Sequence, residues 1–362
     1  MTRRIGILTG GGDAPGLNAV LRAFVKRAAG QLGWTVVGIE DSFNGLLDSP
    51  RRTVSLTPVS CRGILHRGGT ILGTTNHGDP FSFPQRDGSH RDVSAELAAA
   101  FRDEGLDGLV VLGGDGTQSI ALRLMQLHGI PVIGVPKTID NDLSATDLTF
   151  GFQSAVDCAT DALDRLHTTA ESHERVMLLE VMGRDAGHIA LSAGIAGGAD
   201  VILIPEIPYD PVRVAAKVRL RQSIGRLFSL VIVAEGALPL GCGTQVSQAD
   251  RKRHLKEGGG AAAIAQRELT PHVTAEMRTC VLGHLQRGGS PVAFDRVLAT
   301  RFGVAAVDLV HQDRWGEMVH LADGHVGGVP LEEAVAKNRT VDVHGELLRA
   351  ARCVGVVFGD AS

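Results

Sequence analysis

Short apolar runs that end in glycine and charge recur along the chain, and helical periodicities fill the intervals between them. Ile5-Gly6-Ile7-Leu8-Thr9 predicts a buried strand. Val20, Phe24, Ala28 and Leu32 then share one face of a helix over Leu17–Leu32 that Gly33 ends. Thr35–Ile39 predicts the next strand and Ser94–Glu104 a helix. Leu109–Leu112 predicts a strand, followed by a helix to His128 with Ile120, Leu124 and Leu127 as its buried face and Gly129 as its stop. Val132–Val135 is a further strand. A helix opening at Gly151 carries Val156, Ala159, Leu163 and Leu166 on one stripe. Strands follow at Val176–Val181, Val201–Ile204, Leu230–Ala234 and Cys280–Gly283, a helix at Ala293–Val310, and a late strand at Val354–Phe358. Residues 53–65 carry no assignable pattern, and the polar, glycine-rich stretch Gly241–Gly260 reads as a mobile insertion. Alternating strands and helices, with no long repeat or heptad, predict a doubly wound α/β protein. At 362 residues the chain exceeds the ~250–300 at which one core stops growing, so two such Rossmann-like domains around a shared cleft are expected.

Composition narrows the partners. Hydrophobic residues make up 44% and charged residues 21%, ordinary for a globular protein. A net charge of −4 gives no basic field for nucleic acid, so any grip on an anion is local. No apolar run approaches a membrane span, and the sequence enters a strand by Ile5, which leaves no room for a signal peptide. Five scattered cysteines (Cys61, Cys158, Cys242, Cys280, Cys353) form no C-x-x-C pair or metal spacing. Buried free thiols and a cytoplasmic location are the expectation.

The charges at the strand ends carry the chemistry. Pro131-Val132-Ile133-Gly134-Val135-Pro136 runs into Lys137-Thr138-Ile139-Asp140-Asn141-Asp142, an apolar strand delivering a lysine, a hydroxyl and two carboxylates. Open α/β sheets bind ligands at such carboxyl ends, and this set suits a metal-phosphate site with one carboxylate left as a base. A solvated surface turn is the alternative. In Gly113-Gly114-Asp115-Gly116-Thr117 the glycines admit a bulky anion that Asp115 would repel unless a cation such as Mg²⁺ intervened; a plain turn aspartate is the other reading. Gly10-Gly11-Gly12-Asp13-Ala14-Pro15-Gly16 between two strands invites a dinucleotide reading, but the spacing is imperfect. A tight turn explains the glycines equally well, and a phosphate on the following helix's N–H groups stays open. Later strand ends offer Arg175, Arg184, Arg278, Arg287 and His284, with Glu235 as the lone acid, which suits a phosphorylated acceptor that also has hydroxyls. Phosphoryl transfer between two anions needs neutralisation and a base, and the inventory holds both.

Gly11-Gly12-Asp13-Ala14-Pro15-Gly16-Leu17-Asn18, Gly113–Thr117, Pro136–Asp142, Met182-Gly183-Arg184 and Gly283-His284-Leu285-Gln286-Arg287-Gly288-Gly289 together resemble the 6-phosphofructokinase family, collinearly over about residues 3–310. The resemblance implies phosphorylation of fructose 6-phosphate at its 1-hydroxyl by ATP with Mg²⁺, or by pyrophosphate as the alternative donor. It makes Asp140 the base, supported by Thr138, Asp142 and Lys137, and Asp115 the Mg²⁺ ligand. An aspartate with an ordinary pKa of about 4 is a weak base, so positioning must supply most of the effect. Gly11, Asn76, His77, Gly113, Gly114, Asp115, Gly116 and Thr117 would lie along the donor. Thr138, Ile139, Asp140, Met182, Gly183, Arg184, Glu235, His284, Leu285, Gln286 and Arg287 would bind the sugar phosphate. Arg175 and Arg278 would reach it from a neighbouring subunit of a homodimer or homotetramer. The domains implied are residues 1–150 plus about 286–335 for the donor and 151–285 plus about 336–362 for the sugar.

Donor choice turns on two residues. Gly116 is similar to ATP users, where pyrophosphate users carry a bulkier acid, while Lys137 resembles pyrophosphate enzymes and a mixed group of ATP enzymes; ATP is favoured. Asn76 then His77 stand where bacterial ATP enzymes have an arginine, which leaves His77 or Lys137 to bridge donor and sugar phosphates. Ile120 stands where a small glycine is common near the nucleoside. Arg22 and Lys26 fit the family's effector site, but Pro58 and His167 do not, so allosteric control by nucleoside diphosphate or phosphoenolpyruvate is not supported. NAD and lipid kinases share a Gly-Gly-Asp-Gly-Thr turn but lack the other motifs. A silent sugar-phosphate sensor is disfavoured by intact Asp115, Asp140 and Asp142.

Overall fold

A computed structural model describes residues 2–85, 87–242, 253 and 255–360. The chain divides into two units: residues 1–139, 143–154 and 287–338 in the first, and 140–142, 155–286 and 339–362 in the second.

In the first unit β1 (Arg4–Thr9) leads to α1 (Leu17–Gln31), β2 (Thr35–Ile39), a short α2 (Asn44–Leu47) and β3 (Thr53–Leu56). A small hairpin of β4 (Phe83–Pro84) and β5 (His90–Arg91) precedes α3 (Ser94–Asp103), β6 (Gly108–Gly113), α4 (Asp115–His128) and β7 (Val132–Pro136). The sheet order is β3-β2-β1-β6-β7, continued by two later strands named below. It is parallel from β2 to β7, and β3 runs antiparallel along one edge. Its strands read as continuous apolar runs because both faces are covered. Ile7, Val110, Leu112, Ile133 and Val135 pack with Leu17, Val20 and Phe24 of α1 on one face. Leu8, Leu109, Val111 and Val132 pack with Leu97 and Phe101 of α3 and Leu124 of α4 on the other. Each such side chain contributes about 1.5–3 kcal/mol when fully buried.

The helix α5 (Phe152–His173) starts in the first unit and continues in the second. There β8 (Val176–Val181), α6 (His188–Ala196), β9 (Val201–Leu203), α7 (Pro211–Ser223), β10 (Ser229–Ala234), α8 (Ala261–Leu269) and β11 (Met277–Val281) follow. They build a four-stranded parallel sheet in the order β11-β8-β10-β9. Back in the first unit, α9 (Ala293–His311) precedes a hairpin, β12 (Glu317–Ala322) and β13 (His325–Pro330), which extends the large sheet beyond β7; α10 (Leu331–Ala334) follows. The second unit closes with α11 (Glu346–Cys353).

Several expectations need correction. Leu127 is 65% exposed, because the buried face of α4 runs through Thr117, Gln118, Ala121 and Leu124. On α5, Val156 and Leu166 are half-buried beside the fully covered Ala159 and Leu163. The late strand at Val354–Phe358 reduces to a single bridge between Val357 and Val201, since α11 extends to Cys353 and Gly355 turns the chain at φ 91°. All five cysteines are free, but only Cys61 is buried and Cys353 is exposed. Most of the stretch 241–260 expected to be a mobile insertion lies outside the described residues. No helix among the described residues is long and apolar enough to cross a membrane.

Candidate active site

At the carboxyl end of β1 the backbone turns at Gly11, which has φ 74° and lies in a left-handed region that favours glycine. Gly10 N–H donates to the Leu112 carbonyl, Gly11 N–H to the Thr75 carbonyl, and Thr74 Oγ1 to the Gly11 carbonyl at 2.6 Å. A Cβ on Gly11 would lie 3.4 Å from Thr117 Oγ1, 3.5 Å from Lys137 Nζ and 3.9 Å from Asn76 Oδ1. The first turn of α4, the residue after β7 and the segment around Asn76 thus gather a hydroxyl, an ammonium and an amide over one bare stretch of backbone. Lys137 is almost wholly buried, and its ammonium donates to the Gly12 carbonyl. Arg287 Nη1 donates to the Asp13 carbonyl at 3.0 Å, and a Cβ on Gly12 would come 2.6 Å from that nitrogen. Two cations therefore fasten the same turn. His77 is exposed, whereas Lys137 Nζ is among the three nearest groups to the Gly11 Cβ position.

Gly113, Gly114, Asp115 and Gly116 carry β6 into α4. A Cβ on Gly113 would collide with Thr117 Cβ at 2.3 Å, so glycine there is a packing demand, whereas one on Gly116 would meet nothing within 4 Å. Asp115 is exposed in the first turn of α4. Gln118 was not anticipated. It is fully buried, and its Nε2 donates to the carbonyls of Val111, Gly113 and Val135, tying the ends of β6 and β7 together. A polar residue on the apolar stripe of α4 was the available signal. Asn18, buried likewise, accepts from Ile71 N–H and donates to the Arg67 carbonyl, fixing the glycine-rich segment after residue 67.

The Thr138 carbonyl accepts from Thr149 Oγ1 at 2.7 Å, and Ile139 is fully buried. The chain passes into the second unit at Asp140, which is half-buried. Asn141 adopts φ 54°, a conformation asparagine tolerates better than most residues. The half-buried Asp142 accepts from Arg339 N–H through its carbonyl at 2.7 Å.

In the second unit the parallel register sets Val181 beside Ala234, so Met182 and Glu235 leave neighbouring strands together. Glu235 N–H donates to the Val181 carbonyl and Gly236 N–H to the Gly183 carbonyl. A Cβ on Gly236 would lie 1.9 Å from the Arg184 carbonyl oxygen, which excludes any other residue. The turn Gly283–Gln286 follows β11 at this same end; His284 and Leu285 are exposed, while buried Gln286 accepts from Met182 N–H through Oε1 at 2.7 Å. Arg184, Glu235 and His284 thus share the carboxyl end of this sheet.

Arg175 and Arg278 do not. Arg175 precedes β8, Arg278 is paired in register with Met177, and both guanidiniums engage Glu276. The Arg175 hydrogen bond holds the Glu276 carboxyl below the usual carboxylate range. They lie at the amino end, separated from Arg184 by the length of a six-residue strand, roughly 20 Å. Within one chain these two arginines therefore stand apart from Arg184, and Arg287 groups with the first unit.

Residues 4–310 match the family described as Phosphofructokinase. The chain is 52% identical to an ATP-dependent 6-phosphofructokinase of Chloroflexus aurantiacus, over 99% of this chain and 98% of that one. It is 48% identical to a pyrophosphate–fructose 6-phosphate 1-phosphotransferase of Streptomyces coelicolor, over 98% and 100%. Among solved structures it is similar to phosphofructokinase from Saccharomyces cerevisiae, with a TM-score of 0.76 and 31% identity over 92% of this chain and 45% of the yeast one.

Proposed function

The chain belongs to the phosphofructokinase family, and on that premise we propose how its residues divide the work of phosphoryl transfer. It is an enzyme, a phosphotransferase with an alcohol group as acceptor, that moves the terminal phosphoryl group of ATP to the 1-hydroxyl of fructose 6-phosphate. Asp140 takes the proton from that hydroxyl as the oxygen attacks phosphorus, with Thr138 and Asp142 holding the loop. The observation that supports the donor half is the convergence of Thr117, Lys137 and Asn76 over Gly11. A lysine ammonium placed there neutralises charge that grows on the transferring group, where one fixed donor is typically worth about 10²–10³ in rate. Gly113–Thr117 lie along the donor phosphates.

Asp115 would hold Mg²⁺. Among the described residues no three His, Cys, Asp or Glu side chains converge as a metal cage. Mg²⁺ commonly uses one or two carboxylates plus substrate phosphates and water, and an exposed carboxylate in the first turn of α4 fits that role. Bound there, the ion would neutralise the donor phosphates.

The sugar phosphate would meet Met182, Gly183, Arg184, Glu235 and His284 from one subunit, with Gln286 setting the turn and Leu285 beside it; Ile139 and Arg287 complete the assigned set. Arg175 and Arg278 would serve the site of a neighbouring subunit in a homodimer or homotetramer. Their place at the amino end of the sheet supports that assignment, and free thiols support a cytoplasmic setting.

A pyrophosphate donor is the second reading, favoured by Lys137 and by the Streptomyces relative. The open space at Gly116 weighs toward ATP, because neither packing nor backbone conformation demands glycine there. Two assays test the whole. Purified protein with fructose 6-phosphate and Mg²⁺ turns over with ATP; activity with pyrophosphate alone reverses the donor. Asp140→Ala loses orders of magnitude in kcat while sugar-phosphate affinity persists, and near-normal turnover in that variant sinks the assignment of the base.

A further inference from the structure

Resting on the reading of Asp140 as the base, a second set of contacts bears on how its loop is held. Arg339, the first residue of the closing segment of the second unit, donates its N–H to the Asp142 carbonyl at 2.7 Å. Its own carbonyl faces His188 Nε2 at 3.3 Å. Two residues on, Val341 N–H donates to Glu206 Oε1 at 2.8 Å, and the same carboxylate accepts Gly187 N–H at 3.0 and 3.2 Å through its two oxygens. Residues 339–341 therefore form a strap with three backbone contacts. One reaches the loop carrying Asp140 and Asp142. The others reach His188 directly and Gly187 by way of the Glu206 carboxylate, and both residues lie just after the Met182–Arg184 turn of the sugar site.

We propose that His188 is a positioning residue for the Asp140 loop, acting through the Arg339–Val341 strap, so that the base and the sugar-binding turn are held in mutual register. These three bonds use the strap's backbone, and the side chains at the other end of two of them are His188 and Glu206. A carbonyl can only accept, so Nε2 must carry the proton and donate. Burial, assisted by the neighbouring Arg339 guanidinium, lowers the imidazole pKa to about 4, which keeps the ring in a neutral, single-donor form. Glu206 meets the first turn of α6 at Gly187, where no side chain of the helix itself supplies a cap, and a carboxylate at a helix start is favourable. A base that must be placed within a fraction of an ångström gains from a support with this geometry.

The test is steady-state kinetics of His188→Ala and His188→Gln in the full-length enzyme, with melting temperature as control. His188→Ala lowers kcat about tenfold with an unchanged KM for ATP, and His188→Gln, whose amide N–H reaches the same carbonyl, recovers most of it. In Asp140→Ala the further change His188→Ala costs nothing more, because the positioned group is gone. Wild-type kcat in His188→Ala overturns the proposal. So does a loss that His188→Gln fails to restore, or one that persists undiminished on the Asp140→Ala background. If His188→Ala does not fold, His188→Asn, too short to reach the carbonyl, takes its place with the same expected losses. Near-normal turnover in Asp140→Ala alone would overturn the base assignment instead, and so separates the two failures.

Discussion

At the carboxyl end of the seven-stranded sheet, loops after β1 and β6, the segment around Asn76 and the loop after β7 bring Thr117, Asn76 and Lys137 over the bare backbone of Gly11. The four-stranded sheet treats its polar residues differently: Arg184, Glu235 and His284 are at the carboxyl end, and Arg175 and Arg278 are tied to Glu276 at the other. A polyphosphate can be met by one chain using the first arrangement. On the proposed assignment, a phosphorylated sugar that uses all the cations of the second needs two copies. The same strand-end rule would then give a donor cradle built by one unit and an acceptor site divided between subunits.

Removing the cradle's ammonium is the strongest challenge to that contrast. Lys137→Met should lower kcat about 10²–10³-fold while the KM for fructose 6-phosphate stays near its wild-type value. A folded variant with intact turnover would reduce Lys137 to an anchor of the Gly12 turn. Next in size, Arg278→Ala should raise the KM for fructose 6-phosphate about 10–100-fold, as expected for a lost hydrogen bond between charged groups. Its more telling use is in a mixture with Asp140→Ala subunits. Random pairing at low fructose 6-phosphate should restore about a quarter of wild-type sites, because half of the mixed dimers' sites join an intact base to an intact arginine. No recovery on mixing would place Arg278 outside the site or in the same subunit's.

The difference between the units was only partly legible in the sequence. Continuous apolar runs marked most strands of both sheets because parallel strands are buried on two faces. The hairpin β12–β13 escaped because it is antiparallel and holds Gly327 and Gly328 in its second strand. On α4 Leu127 looked like core, yet the helix is rotated so that Gln118 can serve three strand carbonyls, and Leu127 turns outward. Motif spacing put Lys137, Asp140 and Arg184 at strand ends, which are local facts. It did place a strand between Arg175 and Arg184, but the shared engagement of Arg175 and Arg278 with Glu276 is a contact that spacing does not show. Nor could it find Arg339 or His188, whose link to the Asp142 loop is a backbone contact from almost two hundred residues away.

The smallest effect is expected inside the cradle itself, where neighbouring glycines differ in their reasons. Gly113 is glycine because Thr117 occupies the space a side chain would need, and Gly116 has no such neighbour. It stands in the first turn of α4 with a φ outside the left-handed region, so alanine there should leave stability unchanged or raised by up to about 1 kcal/mol. The cost should fall on the ligand. If the open space takes the α-phosphate and nucleoside, Gly116→Ala raises the KM for ATP a few-fold and Gly116→Asp raises it further by charge repulsion, with the KM for fructose 6-phosphate unmoved in both. Calorimetric melting beside the two KM values separates the possibilities. A fall in melting temperature would make Gly116 a packing residue like Gly113. Unchanged ATP kinetics in the aspartate variant would mean the nucleotide leaves this space unused, and the steric argument for ATP over pyrophosphate would fall with it.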